Sequence, residues 1–508
     1  MKIFLSRFFL GIILVFFFLS IACAEIKAES AGFIFSLDTY LRNDLISWNN
    51  VVDLDSSNHD DHTVYFGVDY SLGFGVKQKD EDGVKSYLKL ERNGPYDYNA
   101  PLFVHNTLMN TGGVIEKYRG DELLPEVEEF WLDYLLGDFC RMKSGLYTYT
   151  VGNGFSLNGS FENYSTSFYN ESNNLDWHLY YVRPDLHRKN HLGPRIRQDE
   201  EQGLVYNHGV AHLFTADLKL KEENFSFQPY AGLLADYTAP DKRDNVFLTP
   251  VKQDMLGTYG AALQKKAGSL IWDLEAAHNF GKARSADDQL KDITHNGYLG
   301  YTALTYKTEK FTPVVRFLAC SGNRPSLSDA EEGTEFISSG KNRAFSYYSP
   351  MNKNLGDAVG GAFPEILPLV AMGVGYGLQY GIPRPGTFSS ADFDNLIMPA
   401  LSLNFSPTTK LSLGLDMYIL RSFEKGVGTF NGEAKYLSCD LGKEIDASID
   451  YDLNDNMKIE FLGGFFMPGR YYKEERDDTT GSLLSPFMRG DGEPDPAFQL
   501  ELSLILSF

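Results

Sequence analysis

The sequence predicts an all-β fold, a transmembrane antiparallel β-barrel of eighteen strands that follows a cleaved N-terminal signal peptide. Three observations carry this. Residues 497–508 alternate without a break, with Phe498, Leu500, Leu502, Leu504, Leu506 and Phe508 on one face and Ala497, Gln499, Glu501, Ser503, Ile505 and Ser507 on the other, the pattern of a strand with one oily side. Beyond the leader no apolar run is long enough to cross a bilayer as a helix; the nearest, residues 366–374, is short and is interrupted by Pro368. Strand-like segments joined alternately by short turns and long polar connections run from end to end, and lipid leaves such strands no way to satisfy their backbone groups except closure into a barrel.

The leader is read from Lys2 and Arg7, the apolar stretch 8–21, and Ala22-Cys23-Ala24 before Glu25. Residues 25–508 are then expected to form one barrel domain. A terminal aromatic such as Phe508, closing a period-2 run, is what the barrel-assembly machinery is expected to recognise. Cys140, Cys320 and Cys439 are odd in number and far apart, so no disulfide framework is implied. The formal charge of −22 argues against nucleic-acid binding and for solvated acidic loops, and 30 Tyr with 37 Phe suit aromatic girdles at the two faces of a membrane.

The first strand alternates Phe33, Phe35, Leu37, Thr39 and Leu41 with Ser36, Asp38, Tyr40, Arg42 and Asp44. The second, over residues 64–77, is the clearest in the chain, and a short turn at 78–83 returns it into 84–91. Further short turns are expected at 136–139, 171–176, 221–224, 265–269, 307–310, 406–409 and 453–456. The longer connections fall near 45–62, 93–126, 152–160, 184–208, 238–254, 281–294, 321–394, 422–440 and 469–495. Eight short turns and nine long connections join eighteen strands, or sixteen if one hairpin in the weakly alternating stretch 150–220 is discounted, and a barrel of either size is wide enough for an aqueous lumen.

The polar residues of alternating strands face such a lumen. On that rule Asp38, Asp44, Asp69, Glu91, Asp133, Asp273, Glu275, Asp416, Glu444, Asp446, Asp450 and Glu460 point inward, accompanied by Arg42, Lys77, Lys85, Lys89, Arg141, Lys143, Arg316 and Lys458. As a set they form a charged conduit that selects solutes; individually, opposite charges on adjacent strands can simply pair across the wall. The 321–394 connection contains an apolar stretch, 366–377, which is expected either to fold into the mouth as a constriction or to cap neighbouring loops. His59, His62 and the acids Asp53, Asp55, Asp60 and Asp61 lack the spacing of a calcium loop, and Asp491, Glu493 and Asp495 are read as equally ordinary. No Gly-x-Ser-x-Gly elbow, metal-spaced His pair or phosphate loop is present, so neither cofactor, metal nor catalysis is expected.

Several stretches resemble a known family. Gly442-Lys443-Glu444-Ile445-Asp446, followed by Phe466-Met467-Pro468-Gly469, resembles the G-x-E-x-D … F-x-P-G ending of the alginate export porins. Asp273-Leu274-Glu275-Ala276-Ala277, Ser321-Gly322-Asn323, Asn395-Leu396 and Leu41-Arg42 are similar to further family stretches, in order along the chain. The resemblance implies an eighteen-stranded outer-membrane barrel that exports an anionic polysaccharide. One departure is that Gly145-Leu146-Tyr147 stands where the family shows G-R-Q, so a basic group is lost. The expectation is therefore a passive channel for a polysaccharide, oligosaccharide or small polar solute, a monomer in contact with outer-membrane lipid and lipopolysaccharide. A general or aromatic-compound uptake porin is the alternative within transport; a loop-based enzyme and a surface adhesin are alternatives of other classes.

Overall fold

The computed structural model describes residues 26–49, 63–92, 126–183, 211–237, 251–322, 340–345, 395–476 and 494–507, apart from short gaps within these spans. The leader, Phe508, the His59/His62 loop and the 366–377 stretch lie outside the described residues.

Eighteen strands form one closed ring. The first six are β1 (Phe33–Asn49), β2 (Thr63–Gln78), β3 (Lys85–Arg92), β4 (Glu126–Leu136), β5 (Cys140–Leu146) and β6 (Ser165–Glu171). Next come β7 (Leu175–Val182), β8 (Ala211–Glu222), β9 (Phe225–Asp236), β10 (Val251–Ala267), β11 (Leu270–Ser285) and β12 (Tyr298–Tyr306). The last six are β13 (Phe311–Cys320), β14 (Leu396–Phe405), β15 (Leu411–Ser422), β16 (Asp440–Asn454), β17 (Met457–Pro468) and β18 (Ala497–Ser507). Each pairs antiparallel with the one before it. β18 returns to β1, from Asn49 opposite Phe498 to Tyr40 opposite Ser507, which closes the ring of eighteen strands.

All eight expected short turns join consecutive strands at one rim, β2 to β3 through β16 to β17. The turns are tied to the strands beside them: Ser507 N–H donates to Asn456 O at 3.0 Å, and Asn456 Nδ2 donates back to Ser507 O at 2.8 Å. Some strands outrun their expected ends, β1 reaching Asn49 and β11 reaching Ser285, because their backbone ladders continue past the stretch where the side chains alternate in polarity.

Burial is inverted relative to a water-soluble domain. Val315, Tyr259 and Leu179 are 58%, 54% and 52% exposed, and Phe74, Phe130, Phe214, Phe280, Ile419 and Leu500 are exposed with them. On the opposite face of the same strands Glu275, Glu444, Asp446 and Ser503 are buried. Trp272, Tyr306, Phe311, Phe405 and Tyr451 stand on the exposed face close to the short turns, where an interfacial girdle belongs. An apolar outer belt around a polar interior is the architecture of outer-membrane barrels, in which every spanning backbone group is satisfied by a neighbouring strand.

At the other rim, β17 continues into the helix Arg470–Arg476, whose Tyr471 and Tyr472 are buried; Tyr472 meets Phe466 edge-on at 5.8 Å. Short extra strands sit here too, among them Ile293–His295 paired in parallel with Lys341–Asn342. Phe345, 2% exposed, donates its backbone N–H to Ser321 O at 3.0 Å, which ties this part of the 321–394 connection to the end of β13.

Candidate functional site

Strand register places most of the expected interior charges in two sectors, Asp273 and Glu275 on β11 standing apart. The first runs over β16, β17, β18 and β1. Lys458 Nζ lies 2.5 Å from Asp450 Oδ1 and 3.2 Å from Glu460 Oε1. Glu460 is shared with Arg42, 3.3 Å away, and Arg42 also pairs with Asp44 at 2.7 Å, with Glu501, and with Ser503 Oγ at 3.0 Å. Four carboxylates thus surround two cations. Next to this ladder, on β15 and β16, Asp416 stands directly opposite Asp446, an unfavourable like-charge pairing in an antiparallel sheet, and Glu444 stands opposite Tyr418. Arg316 on β13 approaches Asp416 at 3.9 Å, and Ser402 on β14 donates to the same carboxylate.

The second sector, β2 to β5, is richer in cations. One row of the register reads Lys77 opposite Lys85, Lys85 opposite Asp133, and Asp133 opposite Lys143. Asp133 is already engaged, accepting from Arg141 Nε at 2.9 Å and Tyr169 Oη at 2.5 Å. Lys143 instead holds its ammonium over the rings of Trp131 and Tyr147, 4.1 and 4.4 Å from their centroids, a cation–π arrangement. Lys89 is paired with Glu91, and Asp38 accepts from the Tyr87 hydroxyl. Asp69 lies opposite Arg42 in register; its side chain is outside the described residues.

Between the sectors the chain turns inward. After β5 it leaves the wall and forms a hairpin, Tyr149–Val151 with Leu157–Gly159. Gly145, at φ +137°, prepares the departure: β5 runs so close to β4 there that a Cβ would collide with Phe130 O. Tyr147, Val151, Phe155 and Leu157 are no more than 2% exposed, and the partners that bury the hairpin are interior groups of distant strands. Tyr149 donates to Asp217 on β8 and stacks on Tyr180 of β7 at 4.5 Å. Ser156 Oγ lies 3.0 Å from Tyr230 Oη on β9, and Phe155 packs on Tyr301 of β12, ring centroids 4.9 Å apart. The segment therefore reaches from β5 to β12 across the interior and narrows it.

Its anchor is Glu275 on β11. One carboxylate oxygen accepts the Asn153 backbone N–H at 2.6 Å and the other accepts the Tyr230 hydroxyl at 2.6 Å. Gly152, at φ +63°, lies so close that a Cβ would stand 2.8 Å from Glu275 Oε1.

These placements refine the sequence reading. Glu275 is 1% exposed beneath the hairpin and Glu444 is 0% exposed, so neither presents a free charge to water. Asp273, two residues before Glu275 on β11, accepts from Gln264 Nε2 at 2.8 Å. The segment expected as an ordinary outer connection near 152–160 is the one that folds inward, whereas the stretch expected either to constrict the mouth or to cap it, 366–377, lies outside the described residues. Sequence reasoning passed over Asp217, which gathers Tyr149, His178 Nδ1 at 3.2 Å and Gln228 Nε2 at 2.9 Å. It also passed over Glu501 as a charge and the His295–Asp254 pair at 2.7 Å. Glu501 was the findable one, since it sits on the polar side of the most regular strand. Among the described residues no group of His, Cys, Asp and Glu is arranged to hold a metal ion, and Cys140, Cys320 and Cys439 are not joined in disulfides.

No family model matches the chain, and no curated protein matches it in sequence. Solved structures with a similar course of chain include OccK11 (OpdR) of Pseudomonas aeruginosa, at 9% identity over 93% of this chain and 96% of that one, TM-score 0.48. OprD of Pseudomonas aeruginosa is similar at 11% identity over 96% and 100%, TM-score 0.48. A BenF-like porin from Pseudomonas fluorescens is similar at 9% identity over 93% and 99%, TM-score 0.47.

Proposed function

We propose that this chain is a passive outer-membrane channel for a neutral or mixed-charge saccharide or another small polar solute. The observation that carries the reading is the inward hairpin held by Glu275 inside a ring whose interior bears ionised groups on most strands. Such groups require water, and a water-filled ring of eighteen strands is a conduit unless it is filled; the hairpin narrows it and makes its size and charge selective. In this reading Asp38, Lys77, Lys85, Lys89, Glu91 and the Arg42 and Asp416 clusters line the path. The chain lies in the outer membrane of a Gram-negative-type bacterium, in contact with lipid and lipopolysaccharide after delivery by the barrel-assembly machinery, and acts without a cofactor.

A second reading is export of an anionic polysaccharide. It is supported by the motif stretches similar to the alginate export porins and by the lysine row Lys77, Lys85 and Lys143. Against it stand the four carboxylates around Arg42 and Lys458 and the Asp416–Asp446 pairing. General uptake of small solutes fits the same geometry.

Liposome swelling tests the proposal. Vesicles carrying the purified protein are placed in isotonic neutral sugars of graded size; swelling that falls steeply with sugar size is expected. Vesicles that stay inert in all of them, with the protein assembled, would contradict transport and favour an adhesin or a loop enzyme.

A further inference from the structure

The interior wall of the cation-rich sector carries an aromatic surface beside its charges. Tyr87 on β3 lies along β2 where that strand has no side chains to obstruct it. A Cβ on Gly73 would collide with the Tyr87 hydroxyl and stand 2.9 Å from Cζ, and one on Gly75 would stand 3.6 Å from Cδ2. The ring therefore rests on the glycines. It is half-buried, so part of its surface stays accessible beside these contacts.

Trp131 on β4 continues this surface, its ring centroid 5.9 Å from that of Tyr87 and its plane tilted by 33°. Both rings are fixed at their edges. Tyr87 donates to Asp38, and Trp131 Nε1 donates to Glu129 Oε2 at 3.0 Å. Lys143 steadies the indole from the side of Tyr147, with its ammonium over the ring. Two adjacent rings tilted by 33°, edged by carboxylates and with an ammonium over one indole face, are a particular chemical arrangement. The rings offer an apolar face that attracts weakly polarised C–H groups, while the border accepts and donates hydrogen bonds at its rim.

We propose that Tyr87 and Trp131 form a saccharide-binding platform on the channel wall, on which a hexopyranose ring stacks by its C–H face while Asp38, Glu129 and Lys143 exchange hydrogen bonds with its hydroxyls. The inference rests on the transport reading for its purpose but not for its test. Alkyl and fully charged solutes lack one half of this complementarity; a pyranose has both an apolar face and a ring of equatorial hydroxyls. The platform stands one register row from the Lys77–Lys85–Asp133–Lys143 line, so a chain passing along the wall meets it beside charged groups.

The test uses maltohexaose as probe, poly(ethylene glycol) of matched size as the non-stacking control, and the full-length protein in detergent micelles. Tryptophan emission should shift saturably with maltohexaose and not with the glycol. In Y87L, which keeps an apolar side chain but removes the ring, the dissociation constant should rise about tenfold, the worth of one good aromatic contact. Y87F, which keeps the ring, should stay within about threefold of the parent. The same proteins in planar bilayers report separately on conduction. If Y87L does not assemble, W131L is read there by the lifetime of maltohexaose-induced current blocks, expected to shorten about tenfold. Saturable binding without current would keep the platform and remove the channel reading. Current without saturable binding, or binding unchanged in Y87L or in W131L, would overturn the platform and leave the channel reading standing.

Discussion

The backbone N–H of Asn153 meets the carboxylate of Glu275 at 2.6 Å, although the two residues lie on the constricting hairpin and on a strand six places further around the barrel. Glu275 holds the hairpin tip with one oxygen and the Tyr230 hydroxyl of the wall strand β9 with the other, and that hydroxyl lies 3.0 Å from Ser156 Oγ of the hairpin.

Replacing that carboxylate should loosen the hairpin without unfolding the barrel. Removing a buried acceptor leaves its donors unpaired, at a cost of about 1–3 kcal/mol, which is small against eighteen paired strands but large for one loop. E275A is expected to show noisier current and a raised mean conductance in planar bilayers, with E275Q in between because it keeps one acceptor. Quiet traces at the parent level from E275A would mean that Glu275 does not hold the hairpin.

Two glycines with the same backbone twist separate strain from contact. Gly268, at φ +59°, sits in the β10–β11 turn with nothing within 4 Å of where a Cβ would stand, whereas Gly152, at φ +63°, faces Glu275 at 2.8 Å. G268A should cost only the left-handed preference, about 1–2 kcal/mol, seen as a lower temperature for loss of heat-modifiable migration on gels. G152A should leave that temperature near the parent's while disturbing the current as E275A does, because the strain falls on the hairpin rather than the wall. Identical behaviour of the two variants would contradict this division.

How far the sequence was legible follows from where each signal lies. The ring could be counted because most strands carry their own alternation, weakest around residues 150–220: on the last strand the face of Leu500 and Leu502 is the exposed one, and Glu501 and Ser503 are buried. The eight turns could be placed because each is local. The hairpin could not be read, since Tyr147, Tyr149 and Val151 alternate with Thr148 and Thr150 like one more strand. What draws them inward is Asp217, Tyr230, Glu275 and Tyr301, residues far along the chain. Likewise Arg42 and Glu501 are 459 residues apart and become neighbours only through closure of the ring.

That closure makes Arg42 a stability determinant. Its guanidinium answers Asp44, Glu460 and Glu501, two of which are at most 4% exposed. R42M should lower stability by about 3 kcal/mol, because it strands buried carboxylates. Unfolding by urea in lipid vesicles reads this, and the double variant R42M/E501Q should recover part of the loss. A single variant as stable as the parent would show that the carboxylates are satisfied without Arg42.

Ion selectivity follows from the two sectors. A close charge pair across wet pore is worth only about 1 kcal/mol at high dielectric, so the sum decides, and the acids exceed the bases. A weak cation preference is expected from reversal potentials under a KCl gradient. It should fall toward neutrality in D416N/D446N and grow in K77Q/K85Q. Clear anion preference in the parent would restore an anionic polymer as the favoured cargo.

The central claim, an aqueous conduit narrowed by the hairpin of residues 149–159, is tested most directly by single-channel conductance. The parent protein should open in discrete, uniform steps, and a variant in which residues 148–163 are replaced by a short Gly/Ser link should give steps several-fold larger. Absence of steps from assembled parent protein would contradict the conduit, and equal steps from the two proteins would contradict the constriction.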